Sequence, residues 1–325
     1  MSAELTVPDL GRGAPEGSAP VGRPKNERWP AMLLRDPLAT AATVVLLLVV
    51  LTAIVGPSLV GATATKGDLS ISRLAPFSLD HGWEYVLGSD LLGRSVLGRL
   101  IVATRTTLLV ALPVVAISLV IGSLVGMWAG YHRGRRETVA MRIADVIMSF
   151  PSLLLAVVVL YIFSPSIANI VLILTITRIP VYLRTARAES AELQSRLFVD
   201  AARTFGTPAT AIIRRHVFPV VLPTLLTVAT LDFCYVMLAE SSLSFLGIGI
   251  QPPDVSWGLM VAQGKDQLRT QWWLSVLPGL AIVITTVSAN LLASWVRIAT
   301  DPGQRWRLTT PRKRRPRRPT VMETR

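Results

Sequence analysis

"TTLLVALPVVAISLVIGSLVGMWAG" fills residues 106–130 without a charged side chain. Coiled as a helix, the run is roughly 38 Å long, more than the roughly 30 Å of a bilayer's hydrocarbon core. A segment in lipid must satisfy its own backbone polar groups, so a helix is the form this run takes. Working outward, similar runs recur. "PLATAATVVLLLVVLTAIVGPSLV" occupies 37–60, and no charge falls between Asp36 and Lys66. Further spans are read from Met141 to Phe163, from the "SPS" turn at 164–166 to near Leu183, and over 220–246 and 273–296. The expectation is an all-α membrane protein with six transmembrane helices. Composition agrees: 51% of the 325 residues are hydrophobic and 16% charged, where a soluble domain carries about 25% charged residues. "ATA" at 62–64 resembles a signal-peptide cleavage site. The apolar run before it exceeds the roughly 7–15 residues of a signal peptide, so the span is read as retained.

The formal net charge is +13, and its placement gives the orientation. Twenty-five of the 33 Lys and Arg fall in segments 1–37, 131–142, 182–221 and 297–325. Seven fall in 61–105, 164–167 and 248–273, and Arg178 lies within the fourth span. Positive charge marks the cytoplasmic side, so both termini are expected in the cytoplasm. The organisation reads as a polar tail over 1–30, a first span within 31–60 and an external segment at 61–105. A five-span core at 106–300, with a cytoplasmic loop at 182–221, and a basic tail at 301–325 complete it. "RKRRPRR" at 312–318 has no interleaved aromatics. It reads as a retention signal against anionic headgroups, and nucleic acid is not expected as a partner.

Enzyme signatures are missing. Cys234 is the single cysteine, and the three histidines are far apart in sequence. Gly264-Lys265 is followed by Asp266, and Leu259 stands where a P-loop needs its first glycine. No catalytic group, metal or cofactor is assigned to this chain.

The loop between the fourth and fifth spans is more informative. "DAARTFGTPATAIIRRHVFP" occupies 200–219. Phe198, Ala201, Ala202 and Phe205 recur at i, i+3, i+4 and i+7, one face of a helix, with Asp200 and Arg203 off it. Gly206 before Thr207-Pro208 ends that helix. Ala209, Ile212 and Ile213 form a second short face, and Pro219 and Pro223 mark entry into the fifth span. By pattern alone, the segment reads equally as an amphipathic helix lying on lipid headgroups.

The stretch resembles the "EAA" loop of bacterial ABC-importer permeases: Glu-Ala-Ala, three residues, Gly, then nine residues before an aliphatic-x-Leu-Pro ending. Here Asp200-Ala201-Ala202, Gly206 and Phe218-Pro219 occupy those places, with Asp for Glu, His216 for the aliphatic and Phe for Leu. "LGSDLLGRSVLGRL" (87–100), "RIADVIMSFPSLLLA" (142–156) and "LAESSLSFLGIGIQPPDVSWGLM" (238–260) are similar to the C-type subunit of the dipeptide, oligopeptide and nickel branch. Tyr85-Val86 replaces that branch's His-Pro, and "NLLASWVR" (290–297) lacks its Gly-Asp-Gly. The resemblance implies a type I importer fold in the bacterial inner membrane. It implies a homologous permease partner, two ATPase subunits that bind ATP and magnesium, and an external substrate-binding protein. It makes Asp200, Ala201, Ala202, Phe205, Gly206 and Pro219 the ATPase-coupling loop. Di- and oligopeptides are the implied substrates, with nickel or another small solute as the alternative and an intramembrane enzyme as a remote one.

Two carboxylates fall in the fifth span. Asp232 is expected near mid-bilayer and Glu240 near the outer boundary. A carboxylate facing lipid costs several kcal/mol, so each should face protein or a watery path. Both are translocation-path candidates; Glu240, which fits the branch's pattern, reads first as a structural bond to another span. Asp232 reads as a translocation-path residue that takes a peptide's amino group. Arg178 is its candidate partner, although a fourth span ending at Leu183 sets Arg178 nearer the cytoplasm.

Overall fold

The computed structural model describes residues 29–300. The expected tails lie outside the described residues, except Trp29 and Pro30, which open a helix. The helices are α1 (Trp29–Arg35), α2 (Pro37–Thr65), α3 (Val96–His132), α4 (Arg135–Met148), α5 (Ser152–Phe163) and α6 (Ile167–Gln194). They continue with α7 (Leu197–Thr204), α8 (Ala209–Ile212), α9 (Phe218–Phe245), α10 (Trp257–Gly264) and α11 (Trp273–Thr300). No strand occurs among the described residues. Five helical segments are long and apolar enough to cross a membrane, and the bent α4–α5 pair makes a sixth when taken as one broken span. Leu47, Leu51, Ile54, Leu112, Val283 and Val287 point outward and exposed, as suits a surface whose solvent is lipid.

The centre is a parallel pair, α3 and α6. Gly122, Gly126 and Gly130 lie against Tyr182, Leu183, Ala186 and Arg187, and a methyl added to any of the three would overlap α6. Small residues at this spacing let two membrane helices approach backbone to backbone. Ser118 Oγ donates to the Thr175 carbonyl at 3.2 Å, and Ser190 Oγ to the Met127 carbonyl at 3.0 Å. All these contacts advance together along both helices, so the chain between them must return to the opposite end. The α4–α5 pair makes that return.

It does so as a broken element. The uninterrupted span expected over 141–163 is corrected here: α4 and α5 meet at 79°. Pro151 supplies no backbone N–H and disfavours helical geometry at Phe150, so the helix stops at Met148 and restarts at Ser152. Glu137 and Asp145 of α4 pair with Arg187 and Arg184 of α6. The expected end of the fourth span near Leu183 is also corrected, because α6 runs on to Gln194.

α2 packs antiparallel on α3, with Thr63 and Ala64 against Gly98 and the Gly56 end against Ile101. The start of α2 meets the end of α11 in a small cluster of Met32, Ala39, Trp295 and Ala299. Both described ends of the chain therefore lie at the end of the bundle that carries α7. The opposite end is capped by residues 66–95 and by α10. The cap's centre is Asp90, which accepts from the Leu92 and Arg94 backbone N–H groups at 2.9 Å and from Arg99 Nη1 at 2.6 Å. Arg99 Nη2 donates to Gln263 Oε1 at 2.7 Å and ties the cap to α10. Burial pushes the Asp90 carboxyl up. Hydrogen bonds from the Arg94 backbone and side chain, with the Arg99 charge, outweigh that and hold it below the usual carboxylate range.

Candidate functional site: the α7 segment and the Arg178–Asp232 cluster

α7 begins after Arg196 and closes at Phe205, the residue that caps it. Gly206 takes φ +73°, the left-handed region open to glycine. Its N–H donates to the Arg203 carbonyl at 2.8 Å, and that of Thr207 to the Ala202 carbonyl at 3.1 Å. These two bonds are a Schellman closure, which satisfies carbonyls the helix end leaves free. Pro208 then caps α8. The expected glycine stop is thus the observed one.

The expected four-residue face divides. Phe198 (45% exposed), Phe205 (87%) and Ala201 face outward, joined by Leu197 (87%). Ala202 turns toward the bundle with Val199, which is fully buried. Val199 escaped the sequence pattern because a single valine between Phe198 and Asp200 carries no periodicity. It joins Ile212, Val217, Val221, Tyr182, Ala186 and Met127 in one cluster, so α7 is fastened to the ends of α3, α6 and α9 by apolar burial. Arg203 crosses the ring of Tyr131, with its Nε 3.1 Å from Tyr131 Oη. Asp200 is exposed and reaches Arg203 at 3.6 Å.

Between α8 and α9 the chain makes a π turn over Ile213–Val217. Pro219 has no N–H for the carbonyl one turn back, and its ring crowds that carbonyl. The wider turn relieves the clash, with the Phe218 N–H donating to the Ile213 carbonyl. α8, the π turn and α9 therefore form one continuous rod, and the loop proper shrinks from 182–221 to 195–208.

Deeper in the bundle, Arg178 and Asp232 are in direct contact, contrary to the depth expected for Arg178. Because α6 starts at Ile167 and α9 ends at Phe245, the two residues lie roughly 17 and 20 Å from the same end. Arg178 Nε donates to Asp232 Oδ1 at 2.5 Å, and Nη2 also contacts that carboxylate. Tyr182 Oη donates to Asp232 Oδ2 at 2.9 Å. Arg178 stacks on the Tyr235 ring at 4.1 Å, and Tyr235 Oη lies 2.7 Å from Ser152 Oγ. Ser152 is the first residue of α5, so the bend at Pro151 delivers a hydroxyl to the cluster. Asp232 is 2% exposed with both oxygens engaged. It is not the open carboxylate that the amino-group reading needs.

Glu240 is fully buried. Ser244 Oγ donates to its Oε1 at 2.7 Å, while Oε2 has no hydrogen-bond partner among the described residues. Ser244 Oγ also accepts from the Ile250 N–H, and Ser256 Oγ accepts from the Leu259 N–H at the start of α10. Glu240 thus anchors a serine chain under the capped end. Asp232 and Glu240 are separate features, two turns apart.

The fold is a bundle of bent and straight helices long and apolar enough to cross a membrane, with an exposed apolar helix fastened to one end. Residues 122–306 match the family described as "Binding-protein-dependent transport system inner membrane component", and the chain belongs to that family. It is 37% identical over 271 residues to "Probable D,D-dipeptide transport system permease protein DdpC" of Escherichia coli (strain K12), covering 83% of this chain and 89% of that one. It is 38% identical over 218 residues to "Di/tripeptide transport system permease protein DppC" of Pseudomonas aeruginosa (strain UCBPP-PA14), covering 67% and 72%. A solved chain of the MetNI methionine ABC transporter, in an inward-facing form, aligns with a TM-score of 0.49 and 18% identity, over 61% of this chain and 96% of that chain.

Proposed function

We propose that this chain is one of two homologous permease subunits of an ATP-driven importer of di- and oligopeptides in the bacterial cytoplasmic membrane. Two ATPase subunits bind ATP and magnesium, and an external binding protein delivers the peptide to the capped end. The α7 end faces the cytoplasm, in keeping with the Lys and Arg bias. The named permease relatives support peptides as the cargo.

One observation carries the coupling role: α7 holds an apolar outer face while its inner face is locked to three spans. Leu197, Phe198, Ala201 and Phe205 dock in a groove of an ATPase subunit. Val199 and Ala202 pass the displacement to Ile212, Val217 and Tyr182, and so to α9 and α6. Because α8, the π turn and α9 are continuous, a push on α7 is not absorbed by a slack loop. Gly206 sets the angle between α7 and that rod.

The test is reconstitution of both permeases, the ATPases and the binding protein in liposomes. Labelled di- and tripeptides should accumulate inside with ATP hydrolysis, and omission of any one component should stop them. Accumulation of nickel in place of peptide would refute the peptide reading and leave the permease reading standing.

A further inference from the structure

The Arg178–Asp232 cluster is built as a site, and its chemistry runs opposite to the amino-group reading. Asp232 is closed off by burial: Arg178 contacts Oδ1, Tyr182 donates to Oδ2, and its side chain is 1% exposed. Arg178 is the more open partner, with its side chain 17% exposed. The guanidinium spends Nε and Nη2 on Asp232, and Nη1 makes no hydrogen bond among the described residues. The group is held flat by the Tyr235 ring, and Tyr235 is 37% exposed. Ser152 and Tyr235 share one hydrogen bond between two hydroxyls, so a second hydroxyl proton remains to be donated outward. The charged group still available at this spot, the Arg178 Nη1 edge, can only donate, and one hydroxyl proton lies beside it. Leu231 and Leu238, exposed on the same face of α9 as Tyr235, make its surroundings apolar.

A planar fork with a free edge, beside hydroxyl donors in apolar surroundings, matches a carboxylate. We infer that Arg178, with Ser152 and Tyr235, forms a waystation for the peptide's C-terminal carboxylate midway through the membrane, and that Asp232 and Tyr182 are positioning residues that aim the guanidinium. This inference rests on the peptide-importer reading. The depth, roughly 17–20 Å from the capped end, puts the site out of reach of lipid headgroup phosphates. Arg178 is already neutralised by Asp232, so an arriving carboxylate shares the guanidinium and is held weakly. That suits a conduit, where a site must admit its cargo and release it. The cluster also joins α5, α6 and α9, so its occupancy is felt by the rod that leads to α7.

The experiment uses the complete transporter in liposomes with saturating peptide-loaded binding protein. Wild type is compared with Arg178→Lys, which keeps the charge and loses the fork, and with the double variant Arg178→Gln/Asp232→Asn, which removes both charges and leaves neither orphaned. The first readout is peptide imported per ATP hydrolysed. The second is labelling during import by a dipeptide that carries a diazirine, mapped by mass spectrometry. Peptide per ATP should fall about tenfold in both variants, the loss of one charge-assisted fork. Labelling should fall on the segments containing Ser152 and Tyr235 in wild type and disappear from them in Arg178→Lys. Wild-type peptide per ATP in either variant overturns the inference, as does wild-type labelling that avoids those segments. Misassembly of Arg178→Lys beside a normal double variant also overturns it, since it reduces the pair to a structural one. A wild-type complex that imports no peptide overturns the importer reading itself, which separates the two failures.

Discussion

Phe205→Ala is the sharpest perturbation of the proposed coupling helix α7, because the side chain has almost nothing to lose in the folded permease. Phe205 is 87% exposed. Substitution at so open a position moves folding stability by about 0.5 kcal/mol or less. If the ring is buried in an ATPase groove, docking gains the transfer energy still outstanding, about 2 kcal/mol for a Phe side chain. Losing it raises Kd roughly 30-fold at 1.4 kcal/mol per decade. The assay is titration of purified ATPase subunits against the permease pair in nanodiscs, with thermal unfolding of the permease read in parallel. Val199→Ala is the control: Val199 is fully buried, so it should lower permease stability by about 2 kcal/mol through lost packing. The two variants should separate, one in affinity and one in stability. An unchanged Kd in Phe205→Ala would falsify the docking face, and a Kd loss matched by lost stability would show that the ring packs internally.

Gly206→Val should cut binding-protein-stimulated ATPase and import, because φ +73° costs a side chain about 1–2 kcal/mol. No heavy atom lies within 4 Å of the new Cβ position, so Gly206→Asn, which tolerates that region, should stay close to wild type; equal loss in both would point to sterics instead. Asp90→Asn leaves Arg99 buried without its carboxylate and should lower stability by roughly 3 kcal/mol at neutral pH. The Asp90 carboxyl lies below its ordinary range in the fold. Its contribution is therefore complete above the ordinary carboxylate pKa and is lost as pH falls through the lowered value. The gap in thermal midpoint between wild type and Asp90→Asn should narrow on acidification, and a constant gap would discount the ion pair. Reporter fusions at Arg135, Arg196 and Arg312 should read cytoplasm and those at Leu69 and Gln263 the exterior; an external signal at Arg196 ends the coupling-helix assignment.

The sequence by itself determined the class and where the long apolar runs lie. Runs such as 106–130 are apolar over a bilayer's depth, and backbone desolvation leaves them a single choice of structure. Gly206 was equally legible, because a glycine before Thr-Pro is a local stop whose geometry needs no distant partner. Other features depended on contacts far apart in the chain, which local patterns do not encode. The glycines at 122, 126 and 130 looked like any apolar helix until α6 lay against them. Ala202 and Phe205 share a helical face by spacing, yet one turned inward and the other outward, because cluster packing around Val199 set the helix's rotation. Arg178 and Asp232 are 54 residues apart, and the apparent end of a span at Leu183 set them at different depths. Only the continuation of α6 to Gln194 brought them level. Burial and ion pairing in a membrane depend on depth and rotation together, and both are fixed by helices packing on one another.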